Sequence, residues 1–275
     1  MATYVTKWCL GAKKDWNLTI DYVGLWNERP YTKAYILELR RQLNAASLQH
    51  VKIIGSDARW DPISTDVLND PEIRSAVDVL SAHYPGTQSS PTAKEALRKY
   101  KKPLWNVEEF STFSDETGGL CWIRCVVDDY INGLMTMTSS WHLIGAFYPS
   151  IAFWSQGMLT AVEPWSGNYH VNPQVWMTAH MTQFTSLGDR YLPHGAGSGK
   201  LASGGSYVSL VDGKGGLTIL IQKASHENSR CIRPALAPCK RERLSRTSAL
   251  YFVCGLELMN KMLAPQTRRR TRRWC

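Results

Sequence analysis

The amino-acid sequence predicts an α/β body built around a parallel sheet, followed by a shorter antiparallel β segment. Three observations lead there. Apolar runs that finish on polar or aromatic side chains recur along the first half of the chain. IDYVGLWNE ends at Glu28, VKIIGSD ends at Asp57, AVDVLSAHY passes His83, PLWNVEEF passes Glu108, and GLMTMTSSW ends at Trp141. Successive intervals between those five residues are 29, 26, 25 and 33, which suits a strand-plus-helix unit of about thirty residues. After about residue 200 the texture changes to GGSYVSLVDGKGGLTILIQKA, which reads as strand, turn, strand.

Each element follows from local pattern. Residues 1–19 can supply about one helix. YTKAYILELRRQL places Ile36, Leu39 and Leu43 on one helical face, with Arg40 and Arg41 outside. PEIRSAVDVL opens with a proline and an acid, as first helical turns often do. The strand candidates are near-continuous apolar runs, as in a parallel sheet covered by helices, so the body from about 20 to 160 is α/β. Five strands fall between residues 20 and 141. Ser206–Val211 and Leu217–Gln222 flank DGKGG as a hairpin. The later run TSALYFVCGLELMNKML is apolar but short, and nothing after it is periodic.

The chain of 275 residues has room for one large domain or two smaller ones, and its 44% hydrophobic content suits a real core. Eleven tryptophans and twelve tyrosines indicate either a large core or platforms for flat or amphipathic ligands such as sugars. The net charge of +9 belongs to the end of the chain: residues 240–275 carry +8 and the other 239 carry +1. Such a run, ending RRRTRRWC, is a solvated, disordered tail or a targeting or nucleic-acid contact; no nucleic-acid partner is expected for the body. Seven cysteines are present, and Cys121 and Cys125 lack a histidine spacing that would complete a zinc site. Asn17-Leu18-Thr19 is a glycosylation sequon, relevant in a secretory protein. MATYVTKWCLGAKK lacks the order of a signal peptide, and no apolar run has the ~18 residues of a membrane span.

Strand alternation assigns faces. In residues 103–109, Leu104, Asn106 and Glu108 share one face, and Pro103, Trp105, Val107 and Glu109 share the other. If the helix-covered side is the apolar one, Trp105 and Val107 point outward, and Asn106 and Glu108 point inside. The first strand puts Gly24, Trp26 and Glu28 on one face. Two carboxylates at the carboxyl ends of parallel strands are costly to bury without use, and barrel enzymes gather catalytic groups there. Paired carboxylates suit glycoside hydrolysis, with one acid protonating the leaving oxygen and the other attacking carbon or activating water. The plainer alternative is two acids that cap helices or pair with arginine.

The order WNE, then a later strand-end Glu, then a Trp resembles the retaining glycosidases of the large barrel clan. The chain is more closely similar to glycoside hydrolase family 59. The stretches that carry the resemblance are IDYVGLWNERPY, VKIIGSD, VDVLSAHYPGT, LWNVEEFST, YINGLMT to SSWHL, GMLTAVEPWSG, TQFT, KLASGGSYVSLVDG and SHENSRCIRP, collinear from about residue 4 to 236. The resemblance implies Glu28 as proton donor and acceptor and Glu108 as nucleophile. It implies that Asn27 bonds the sugar 2-hydroxyl, that Trp141 stacks on the galactose face, and that Ser111 and Arg233 contact substrate. His83 would be a sugar contact or an oriented core histidine, and Ser111 a pocket residue or a helix cap. Asp57 would order the barrel mouth and Glu163 would be structural. Cys121 and Cys231 would pair in a disulfide, which implies an oxidising compartment.

The implied substrates are galactosylceramide and related β-galactosyl sphingolipids, split into sugar and ceramide in the lysosome. A lipid-presenting activator protein would be the partner, and no metal or other cofactor is required. The implied fold is a partial TIM (β/α)8 barrel holding about strands 4–8, then part of an antiparallel β-sandwich. Residues 1–185 would be the C-terminal portion of the barrel, 186–238 the sandwich segment, and 239–275 an unrelated, disordered basic tail. By this resemblance the chain starts in the helix before the fourth barrel strand. A catalytically inactive remnant that at most binds glycolipid is the competing expectation. Asn106 and Val107 differ from the family's usual Ser-Ser before the nucleophile, and Phe153 stands at a pocket tyrosine position. A glycosylation site near Asn132 is absent.

Overall fold

The computed structural model describes residues 1–110, 114–147 and 157–224. Its first body runs α1 (Ala2–Trp16), β1 (Tyr22–Gly24), α2 (Lys33–Ala45), β2 (Lys52–Gly55), α3 (Ile63–Asn69), α4 (Pro71–Ala76), β3 (Val79–His83), α5 (Pro91–Tyr100), β4 (Leu104–Phe110), α6 (Glu116–Gly133) and β5 (Met135–Trp141). The five strands pair in parallel and in sequence order. This is one arc of an α/β barrel.

The helices begin where the sequence supplies caps. Thr32 accepts from the Tyr35 amide ahead of α2, and Asp70 accepts from Glu72 and Ile73 ahead of Pro71 in α4. Ser90 accepts from Ala93 ahead of Pro91 in α5. Ile36, Leu39 and Leu43 are fully buried, as the periodicity predicts, against Val51, Ile53, Ile63, Val67, Leu80 and Leu104. Arg40 departs from the expected outward position. Its guanidinium reaches the Val51 and Ala76 carbonyls and pairs with Asp78 at 2.6 Å. Arg41 does lie outside, paired with Glu38.

The sheet curls strongly. Tyr22 on β1 and Trp105 on β4 have ring centroids 4.7 Å apart, although strands three places apart are about 14 Å apart in a flat sheet. Both rings therefore point into the concave side. That overturns part of the face assignment: Trp105 faces the interior, while Leu104 and Asn106, both fully buried, face the helices. The alternation prediction assumed a regular strand. In fact the pairing of β4 with β5 shifts between Asn106 and Glu109, and this irregularity restores Glu108 to the inner side.

After β5 come β6 (Ile144–Phe147), β7 (Leu159–Val162) and β8 (Tyr169–Val171), a small mixed sheet, then α7 (Pro173–Thr182). β9 (Arg190–Tyr191), β10 (Gly199–Lys200), β11 (Ser206–Val211) and β12 (Leu217–Gln222) form an antiparallel sheet around the predicted hairpin. One face of that sheet packs on α6, with Val208, Leu210 and Leu220 against Ile123, Val127, Tyr130 and Ile131. The observed packing is sheet on helix, and no second sheet faces it among the described residues. Helix α6 thus serves as a wall shared by both bodies. No helix among the described residues is long and apolar enough to cross a membrane.

Candidate active site

Glu28 sits in the turn after β1, with φ of 50°. Leu25 is buried and anchors that turn, and the Arg29 amide closes it onto the Trp26 carbonyl. The Glu28 side chain is 48% exposed. Asn27 beside it is exposed. His83, the last residue of β3, is buried. Its Nδ1 lies 3.1 Å from Glu28 Oε1 and 3.4 Å from Glu108 Oε2, so one imidazole touches both carboxylates. One oxygen of each carboxylate and the imidazole nitrogen all lie within 4.8 Å of one another. Curling of the sheet is what brings the turn after β1 to the end of β4.

Tyr84 completes the grip on Glu108. Its hydroxyl donates to Glu108 Oε1, and its amide donates to the Glu108 carbonyl at 2.8 Å. Burial, then the hydrogen bond and negative charge of Glu108, push the Tyr84 phenol above its ordinary range, so it stays a donor. Asp57, after β2, packs its carboxylate against Gly24, 3.5 Å from where a Cβ would stand. Burial raises the Asp57 pKa, Glu108 and Glu28 add to that, and His83 opposes it. Asp57 thus shares its electrostatic environment with Glu28, His83 and Glu108.

A second polar group lies behind the first, between β4, β5 and α6. Asn106 Nδ2 donates to Glu109 Oε2 and to Asp129 Oδ2, each at 3.0 Å. Thr138 donates to the same Asp129 oxygen at 2.6 Å. Asp129 is fully buried, and that burial pushes its pKa up to about 7; Thr138 and Asn106 oppose the shift, while Glu109 and Asp128 add to it.

Trp141 ends β5 opposite Phe110, two residues beyond Glu108, and its ring lies 3.9 Å from that of His142. Burial lowers the His142 pKa, and the charge of Glu108 opposes it. Cys121 is buried and disulfide-bonded; Cys231, the partner the resemblance implies, lies outside the described residues, as do Ser111, Arg233 and Phe153. Asn17 caps the end of α1 and is exposed, with Lys13 Nζ 2.9 Å from its side-chain oxygen. Glu163 directly follows β7 and precedes a 3-10 turn at Pro164–Ser166. Sequence reading missed two residues. Tyr84 directly follows the strand-end histidine and offers a hydroxyl there. Asp129 shares a helix face with Cys121 and Cys125, four residues apart each time, which marks an acid on a buried stripe.

Glu28, His83 and Glu108 are also the group among the described residues that could converge on a cation. Paired-carboxylate hydrolysis asks for none.

A family model described as glycosyl hydrolase family 59 matches residues 1–183, and one described as the central domain of that family matches residues 191–261. The galactocerebrosidase of Salmo salar is 49% identical over 237 residues, covering 86% of this chain and 34% of that protein. The Homo sapiens galactocerebrosidase is 48% identical over 235 residues, covering 86% and 33%. The chain therefore spans about a third of the length of the curated relatives it matches. Among solved structures, the endo-β1,6-glucanase BT3312 superposes with a TM-score of 0.60 at 16% identity, covering 80% of this chain and 54% of that one. The catalytic domain of a xylanase C from Talaromyces cellulolyticus gives 0.52 at 16% identity, covering 77% and 53%. At that identity these two similarities speak to the fold alone.

Proposed function

The chain belongs to glycosyl hydrolase family 59, and on that premise we propose that Glu28 and Glu108 are the acid/base and nucleophile of a retaining β-galactosidase acting on galactosylceramide. The observation that carries the reading is the approach of the two carboxylates. Their nearest oxygens lie within 4.8 Å, in keeping with the ~5 to 5.5 Å of retaining pairs and short of the ~6.5 to 9.5 Å that an inverting pair leaves for water.

In the proposed reaction a Glu108 oxygen attacks the anomeric carbon as the bond to the ceramide oxygen breaks, and Glu28 gives that oxygen its proton. The galactosyl ester on Glu108 is then opened by water, which Glu28 deprotonates, so Glu28 regains its proton and Glu108 its charge. The Tyr84 hydroxyl orients Glu108 for attack. His83 holds the two carboxylates in register. Asn27 takes the sugar 2-hydroxyl and Trp141 the C–H-rich face of the ring, with Ser111 and Arg233 adding contacts. The same proposal includes lysosomal action, a lipid-presenting activator protein, the Cys121–Cys231 disulfide, a glycan on Asn17, and a division of the barrel from the following β segment near residue 185.

The second reading is glycolipid binding without turnover. It is favoured by the exposure of Tyr22 on the concave side, 38%, where a working pocket would be enclosed. Intact mass after incubation with a 2-deoxy-2-fluoro-galactosyl fluoride separates the two. One glycosyl adduct, absent from Glu108→Gln, supports the retaining enzyme. A folded chain that takes up no adduct at any pH leaves only binding.

A further inference from the structure

The buried group behind β4 has more acceptors than its donors can serve. Asp129 Oδ1 and Asn106 Oδ1 are both buried without a hydrogen-bond partner. One amide, Asn106 Nδ2, spans the carboxyl groups of Asp129 and Glu109. Asn106 and Glu109 are also the two residues that bracket the register shift of β4 against β5, and Glu108 lies between them. Whatever holds Asn106 and Glu109 therefore sets the direction in which Glu108 leaves the strand.

We propose that Asp129 is a positioning residue for Glu108: as a neutral carboxylic acid, it and Thr138 clamp Asn106, and through Asn106 and Glu109 they hold the irregular stretch of β4 that turns Glu108 into the site. The inference rests on reading Glu108 as the nucleophile. A proton on Oδ1 converts one orphan acceptor into a donor and removes a charge from a fully buried position. Among the described residues, the titratable and charged neighbours do not offset an ionised Asp129. They are Glu109 from β4, Cys125, Asp128 and Arg124 from α6, and Tyr191 from β9. Arg124 acts on Asp128, which also pairs with Lys200 at 2.7 Å. Burial supports the neutral form, since it lifts the Asp129 pKa to about 7. Above that pH a second negative charge forms across one amide from Glu109, and the clamp weakens.

The test is the pH dependence of Glu108 labelling by 2-deoxy-2-fluoro-galactosyl fluoride on the full chain, with melting temperature measured in the same buffers. Fluoride leaves without protonation, so the titration of Glu28 does not shape the profile. In the wild type the labelling rate falls severalfold as pH rises through about 7. In Asp129→Asn, which keeps a neutral side chain of the same shape, that fall disappears. A residue that merely fills space would change the rate at every pH and leave the profile where it was. Labelling of both proteins with the same fall overturns the inference and leaves the glycosidase reading standing. Should Asp129→Asn not fold, Thr138→Val replaces it: the loss of a donor that favours ionised Asp129 moves the fall to higher pH, and an unmoved fall overturns the inference. If a folded wild type takes no label at any pH, the glycosidase reading fails and melting decides the clamp. A gap between variant and wild type that widens from pH 4 to 8 supports it, and a gap independent of pH overturns it.

Discussion

The two faces of β4 keep carboxylates under opposite conditions. On the concave face, Glu108 meets His83 and the Tyr84 hydroxyl, faces Glu28, and stays in reach of water, with side chains 18% and 48% exposed. On the helix face, Asp129 of α6 is sealed from solvent, shares the Asn106 amide with Glu109 and accepts the Thr138 hydroxyl. One seven-residue strand separates the groups. The contrast teaches that donors and solvent, more than residue type, decide what a carboxylate becomes. Given both, it is kept ready for charge-making chemistry; denied solvent, it is driven toward its neutral form and turned into a structural part.

The contrast can be broken or sharpened by substitution. The largest effect is expected from Glu108→Gln, which removes the proposed attacking oxygen: intact mass should show no glycosyl adduct at any pH. Next is Glu28→Gln, which should slow hydrolysis of a substrate with a poor leaving group by roughly 10²- to 10⁴-fold. It should slow a dinitrophenyl galactoside far less, and comparison of kcat on the two substrates checks this. On the sealed face the expected change is in stability. The Asp129 pKa is about 7 in the fold and 3.8 ordinarily. Its neutral form therefore contributes fully below about pH 3.8, and that contribution is lost as pH rises through about 7. Asp129→Asn escapes the loss and should gain up to roughly 4 kcal/mol over the wild type at pH 8 but little at pH 3.5, read by urea unfolding at both. Tyr84→Phe removes one charge-assisted hydrogen bond, and kcat should drop about 10- to 100-fold with KM little changed. The smallest effect is expected from Thr138→Val, which should raise the pH of the Asp129-linked stability transition by on the order of one unit.

The fold was legible where the pattern was local. Five apolar runs at thirty-residue spacing became five parallel strands, and Ile36, Leu39 and Leu43 became a fully buried helix face. The DGKGG turn joined two antiparallel strands. What escaped depended on geometry that no periodicity encodes. Counting alternation through residues 103–109 put Glu108 on the inner side while placing Trp105 and Asn106 on the wrong ones, because a register shift interrupts the strand. Arg40 looked like a solvated charge from its helical phase. Its length lets it reach the carbonyls of two other segments. At the site, Glu28, His83 and Glu108 announced themselves as polar ends of apolar runs, and the curl of the sheet brings them together. Tyr84 and Asp129 offered weaker signals, a hydroxyl beside the strand-end histidine and an acid on a buried helical stripe, since each matters only through its partner.

The left-handed backbone at Glu28 has a consequence for directed evolution. A side chain with a Cβ there costs on the order of 1 kcal/mol, which glycine avoids and asparagine or aspartate tolerates better than glutamate does. A library screened for heat resistance alone should enrich glycine or asparagine at position 28 and discard the proposed proton donor as it does so. Sequencing the survivors would show where the requirements of the chain and those of the chemistry part company.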